Sequence, residues 1–238
     1  MTFFPDVPYN PTLHDFLQAL GPDDSVTDLG ELLMQTNQMY EDMTWSEGNL
    51  LTGHRFSVRT GLPEPTWRRL YQGVQPTKST RAQVTASTGM LEDYSEVDKA
   101  LADLNGNTAA FRLSEDRAHI EGMAQELAST IIYGNEGDQP EAFTGLAPRY
   151  NSLSAANADN IVSAGGSGSD NTSIWLVVWG DQTLHGIYPK GSRAGLDMQD
   201  KGQVTIENVD GSGGRMEAYR THYRHDCGLT VRDWRFAA

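Results

Sequence analysis

The residues able to do chemistry in this 238-residue chain are few and badly spaced for it. His222-x-x-His225-x-Cys227 has the residue types of a metal cluster. The stretch around it alternates with a period of two, which puts His222 on the strand face opposite His225 and Cys227. One strand cannot converge all three on an ion, so no metal site is expected. Asp170 and Asp181 flank the Trp175/Trp179 segment, and paired carboxylates beside aromatics are the raw material of a glycosidase. They read more simply as turn aspartates beside an apolar strand. His14, His54, His119 and His185 have no recognisable catalytic partners in the sequence. Gly165-Gly-Ser-Gly168 lacks the Gly-Lys-Ser/Thr of a phosphate cradle, and neither a dinucleotide fingerprint nor a G-x-S-x-G elbow occurs. No catalytic residue and no cofactor follow from these patterns.

The charge is more informative than the motifs. The net charge is −14, but it is not spread evenly. Residues 1–50 carry nine acids and no Lys or Arg. Residues 51–90 carry Arg55, Arg59, Arg68, Arg69, Lys78 and Arg81 against Glu64 alone. Residues 91–145 return to twelve acids and three bases, and the remainder is nearly balanced. A basic block between acidic ones is either a nucleic-acid patch or one half of a self-complementary protein contact. The acidic total argues against a dedicated DNA binder.

The elements that carry these residues follow from periodicity. Asn10-Pro11 opens a short helix with Leu13, Phe16, Leu17 and Leu20 on one face. A second amphipathic helix runs from Val26 towards Met43. His54–Arg59 alternates apolar Phe56 and Val58 with polar neighbours, and Ala82–Ala86 returns as its partner strand. Between them Gly61, Pro63, Pro65, Gly73 and Pro76 punctuate a long basic tip. Such an arm has too few apolar residues for a core of its own, and a lone two-stranded hairpin is marginal in water. It needs a partner surface.

A helical segment is expected around Glu92–Leu104. The strongest helix follows from Glu115 to Tyr133 with Ser114 as cap, or from an earlier start near Ala109; Ile120, Met123, Leu127 and Ile131 are its core face, and Gly134 ends it. Ile174–Trp179 reads as a buried strand, with Thr183–Tyr188 as its hairpin partner, and Val204–Val209 is a further strand. From Glu217 to Phe236 the period of two is clear, with Gly228 as a bend or bulge. Strand patterning is still running at Ala238, so the natural domain is expected to continue. The longest apolar run is strand-sized, well short of the ~18 residues of a membrane span. A single cysteine, Cys227, suits a reducing compartment such as the cytoplasm.

Taken in order, the elements are an acidic arm, a long basic hairpin, a long helix, a loop-rich β region and long alternating strands. That order resembles the major capsid protein of tailed bacteriophages, the Hong Kong-type capsid fold. Ala118-His-Ile-Glu-Gly-Met-Ala-Gln125 through Ile131-Ile-Tyr-Gly-Asn135, and Phe143-Thr-Gly-Leu146-x-x-Arg149-Tyr150, look like the stretch around the spine helix of a podovirus-type subfamily. Ile174–Gly180 through Gly186–Gly191 looks like its axial-domain strands, and Tyr219–Trp234 like its late sheet hairpin. The similarity covers about residues 45–238.

The resemblance implies an α+β fold with an N-terminal arm, an extended β-hairpin loop, a peripheral domain with a long spine helix and long β-sheet, and a β-rich axial domain. It divides the chain into an arm at 1–50, an extended loop at 51–90 and a spine-helix region at 91–140. An axial-domain-like region follows at 141–215, and peripheral-domain strands at 216–238. It implies a structural, non-enzymatic protein of the virion that assembles into hexamers and pentamers of an icosahedral head. Assembly is expected in the host bacterial cytoplasm, with a scaffolding protein and a portal as partners. Contact with packaged double-stranded DNA is expected to be non-specific, and no membrane is involved. The six basic hairpin residues become inter-subunit contacts. The competing reading is a β-rich carbohydrate-binding or tail-associated module, with Trp175, Trp179 and Trp234 as exposed sugar platforms.

Overall fold

The computed structural model describes residues 38–104, 106–163, 165–166, 172–207 and 213–238. The expected helix at Asn10–Leu20, and all but the end of the one following Val26, lie outside these residues. The described chain is α+β, and it divides into two compact units.

One unit comprises Leu91–Ala128 and Gly195–His225. Strand β4 (Gly89–Asp98) enters it, followed by the short helix α2 (Lys99–Asp103) and most of the long helix α3 (Thr108–Tyr133). Strand β6 (Asp197–Glu207) pairs antiparallel with β7 (Arg215–Val231), from Asp197 opposite Arg224 to Glu207 opposite Arg215. Residues 92–98 were expected to start a helix and instead belong to this strand. Leu91, Tyr94 and Val97 recur at three-residue intervals that imitate a helix. Burial follows the other period: Leu91, Asp93, Ser95 and Val97 are more covered than Met90, Glu92 and Tyr94. Helix formation waits for Asp98, whose side chain accepts a 2.7 Å hydrogen bond from the Ala100 N–H and caps α2.

Helix α3 begins at Thr108, at the earlier of the two expected starts rather than at Glu115. Asn107 Oδ1 accepts from the Ala110 N–H at its start, so Ser114 is an interior residue. Its 26 residues span about 39 Å at 1.5 Å per residue. The covered side follows a four-residue step: Phe111, Glu115, His119, Met123, Leu127 and Ile131. Ile120, expected on the core face, is 37% exposed. The stripe passes through the polar His119 instead. Its Nδ1 lies 2.6 Å from Asp93 Oδ2, and its ring stacks on Tyr223 at 6.2 Å. Val97, Leu101, Ala102 and Phe111 form this unit's core, with Tyr219 packed against them. Arg112 lies over the Tyr219 ring at 4.9 Å and donates to Asp200 at 2.7 Å.

The second unit comprises Met39–Met90, Ser129–Ala194 and Asp226–Ala238. It contains α1 (Gln38–Asp42), β1 (Trp45–Glu47), β2 (Gly53–Gly61), β3 (Thr80–Ser87) and β5 (Leu184–Tyr188). Strand β1 runs parallel to β5, Trp45 beside Gly186, and β5 runs antiparallel to the end of β7, His185 opposite Thr230. In the larger sheet β7 therefore lies between β5 and β4 and also pairs with β6. Strands β2 and β3 make a separate two-stranded sheet.

Gly228 sits where backbones meet rather than at a bend. A Cβ there would stand 2.5 Å from the Ser87 carbonyl oxygen. The Phe143–Tyr150 stretch closes the end of α3: Gly145 N–H donates to Gly134, and Leu146 N–H to Ile131. Arg149 bonds the carbonyls of Gly145 and Thr144, and Tyr150 Oη donates to the Trp234 carbonyl at 2.8 Å.

Ile174–Trp179 departs from expectation. Its main chain bonds to the C-terminal residues, Leu176 exchanging hydrogen bonds with Ala238, and Trp179 bridges Leu184 in parallel. Ile174 is 89% exposed, and Leu176 and Val178 are exposed too. The alternate residues Trp175 and Val177 are partly covered, so the apolar run is a one-sided extended segment held by isolated bridges and not the buried strand expected.

Candidate functional site

The basic block forms one physical object, the β2–β3 hairpin. Its register is regular from Gly53 opposite Ser87 to Arg59 opposite Arg81, after which a bulge leaves Thr60 unpaired. Because side chains alternate, His54, Phe56 and Val58 share one face with Val84 and Ala86. That face is anchored: Phe56 and Ala86 pack on Ile187 of β5, with Val58 and Val84 at the margin. The other face carries Arg55, Ser57, Arg59, Arg81, Gln83 and Thr85, all exposed.

Arg55 Nε donates to Thr85 Oγ1 at 3.3 Å, and its main chain is held by Asn49 through bonds of 2.6 and 2.7 Å. Arg59 and Arg81 face one another directly. Arg68, Arg69 and Lys78 lie in the connecting segment, which is exposed from Leu62 to Lys78. None of the six basic residues makes an ion pair with a described residue.

The tip adds a feature that charge patterning did not single out. Trp67 is 103% exposed and Tyr71 106%, with Leu62, Leu70 and Val74 exposed around them. A turn closed by Gln72 N–H on the Arg69 carbonyl presents them, and Tyr71 takes a φ of 65°. That left-handed conformation is unusual for a bulky residue. The signal was there in Trp67-Arg-Arg-Leu-Tyr71, an aromatic and apolar cluster inside a polar, proline-punctuated segment with no period to bury it.

Among the described residues no group of three His, Cys, Asp or Glu is placed to hold a metal. His222 lies with Glu92 and Tyr94, its ring 4.4 Å from the Tyr94 ring, and Arg220 pairs with Glu96 beside it. These groups make a cross-strand ladder of charge on one sheet face. Asp170 lies outside the described residues. Trp175 and Trp179 are half-buried, Trp175 edge-on to Tyr150 at 5.9 Å, so neither is an open sugar platform; Trp234 is 37% exposed.

The hairpin thus presents an exposed basic arm with an apolar tip. A family model described as major capsid protein GP7 matches residues 21–238. The chain belongs to the GP7 family of major capsid proteins. A chain of the near-atomic structure of bacteriophage Epsilon15 is 41% identical, with a TM-score of 0.72 over 96% of this chain and 68% of that one. The capsid of a native GTA particle matches with a TM-score of 0.54 at 11% identity, over 92% of this chain and 94% of that one. Mycobacterium phage Bobi matches at 0.52 and 14% identity, over 93% and 92%. The last two show the shared fold alone. No curated protein matches.

As a GP7-family capsid protein the chain is a structural component of a tailed-phage virion and self-assembles into its shell. The carbohydrate-binding alternative is not favoured. Of the four residues expected on the spine helix's core face, Met123, Leu127 and Ile131 are buried and Ile120 is not.

Proposed function

We propose that the GP7-family chain assembles as hexamers and pentamers of an icosahedral head, and that the β2–β3 hairpin is its extended loop, laid on a neighbouring copy. The observation that carries this reading is a set of six cations, none ion-paired with a described residue, on an arm of net +5 within a chain of −14. The same chain carries acidic segments that a copy would offer to receive them, nine acids in 1–50 and twelve in 91–145. Exposed surface ion pairs contribute only ~0–1 kcal/mol each, so their role is steering and register. Trp67 and Tyr71 supply the apolar area that charge cannot; aromatic and arginine side chains are the usual anchors of interfaces.

On this reading residues 91–140 and 216–238 build the peripheral domain around the spine helix, and 141–215 an axial-like region. A scaffolding protein and a portal are the further partners, DNA is touched non-specifically, and assembly takes place in the host bacterial cytoplasm. No step of this role needs a catalyst or a cofactor.

The test is charge reversal of Arg55, Arg59, Arg68 and Arg69 to Glu in the full-length protein expressed with its assembly partners. Loss of shells in electron micrographs, with an unchanged circular-dichroism spectrum of the free chain, is expected. Normal shells from this variant would overturn the electrostatic contact.

A further inference from the structure

At the root of the hairpin two imidazoles from distant parts of the sequence meet. His54 lies on β2, and His185, 2% exposed, on β5. Their ring centroids are 6.2 Å apart and nearly perpendicular. His54 also stacks on Phe56 at 5.9 Å, the residue that seats the hairpin on Ile187. The Nδ1 atoms of both rings are buried without a hydrogen-bond partner, as is Thr230 Oγ1 opposite His185. The nearest fixed cation is Arg232, whose guanidinium lies 6.0 Å from the Phe56 centroid and donates to the Asp181 carbonyl at 2.9 Å.

We propose that His54 and His185 form a proton-sensitive latch at the hairpin root: neutral, they let β2 lie on β5; protonated, they release it. The geometry leaves little room for a charged ring. A proton on either imidazole adds a cation to a site that already holds Arg232 and a second ring. Among the described residues, Asp181 is the carboxylate that acts on His185, whereas Arg232 is the charged side chain that acts on His54. A charged group without a partner in such a place is costly.

The titration behaviour agrees with the packing. Burial, then Arg232, holds His54 below the ordinary histidine range. Burial, then Arg232 and His54, does the same for His185, with Asp181 and the Gly180 carbonyl opposing. The closed root therefore binds fewer protons than the open one. Its stability is whole above the ordinary histidine value of about 6.5 and declines as pH falls below it. This holds for a single chain, whatever the hairpin touches in the shell.

Backbone hydrogen exchange on the full chain, corrected for intrinsic rates, tests the latch between pH 7.5 and 5. Protection of amides in 53–61 and 184–188 should fall about tenfold or more, while that of the β6–β7 ladder should hold. The His54→Gln, His185→Gln double variant should lose this acid response. Unchanged protection at the root, or equal loss across β6–β7, would overturn the proposal. So would the same response in the double variant. Should that variant fail to fold, NMR titration of the two rings in the unaltered chain decides: midpoints below 6 support the latch, and midpoints at or above 6.5 remove it.

Discussion

Arg59 and Arg81 stand directly opposite one another across the β2–β3 hairpin, each exposed and neither ion-paired with a described residue. Like charges at facing strand positions disfavour pairing, by a few tenths of a kcal/mol up to about 1 kcal/mol. The free chain tolerates this, and the arrangement gains a purpose when an acidic surface arrives between the two guanidiniums. Changing Arg59 alone to Glu should therefore stabilise the hairpin while harming assembly. Slower exchange of hairpin amides together with a reduced shell yield is the expected pair of results. A loss of both, or of neither, would contradict the role given to this rung.

Trp67 and Tyr71 contribute almost nothing to the chain that bears them, because both are fully exposed. Trp67→Ala should leave unfolding of the free chain within roughly 0.5 kcal/mol of the parent. Tyr71→Gly should relieve about 1 kcal/mol of left-handed strain. Each should nonetheless weaken assembly, Trp67→Ala by the ~2 kcal/mol or more of an interface anchor. Light scattering during assembly reads the second effect, and denaturant unfolding of the free chain the first.

Gly228→Ala should destabilise the sheet. The new methyl would lie 2.5 Å from the Ser87 carbonyl oxygen, a backbone atom that cannot swing aside. Crowding of this kind costs about 1–3 kcal/mol. A lowered midpoint in urea with an unchanged slope is the expected signature.

Cys227 should be chemically silent in the folded chain. It is buried and free of any disulfide, and burial, with Asp226 adding to it, pushes its thiol up to about 12. The thiolate is the reactive form, so a maleimide at pH 8 should label it only as denaturant opens the fold. Rapid labelling of the native chain would show that the strand end is open.

The hairpin and the long C-terminal strand were legible because each carries its own period. Phe56 and Val58 alternate with Arg55, Ser57 and Arg59, and Tyr219, Thr221 and Tyr223 alternate with Arg220, His222 and Arg224. The long helix was legible from Met123, Leu127 and Ile131, but not where it turns polar. His119 earns its covered position from Asp93 and Tyr223, partners on other elements, and the apolar Ile120 beside it was the natural wrong choice. Residues 92–98 were misread because their fate is decided by pairing with β7, more than a hundred residues later. The root histidines looked solitary for the same reason: nothing near His54 in the sequence announces His185.

Strand β7 is the seventeen-residue member of the sheet that β4, β5 and β6 all pair with, and it is the last of them to be made. At ~5–20 residues per second of synthesis, β4 is made roughly 6–25 s before β7, and β5 and β6 only a few seconds before it. Until β7 arrives β4 and β5 have open edges, the condition in which β-rich chains stick to one another. Copies crowded along one messenger would meet in this unfinished state, so the order of translation itself exposes the protein to premature association before any shell can form.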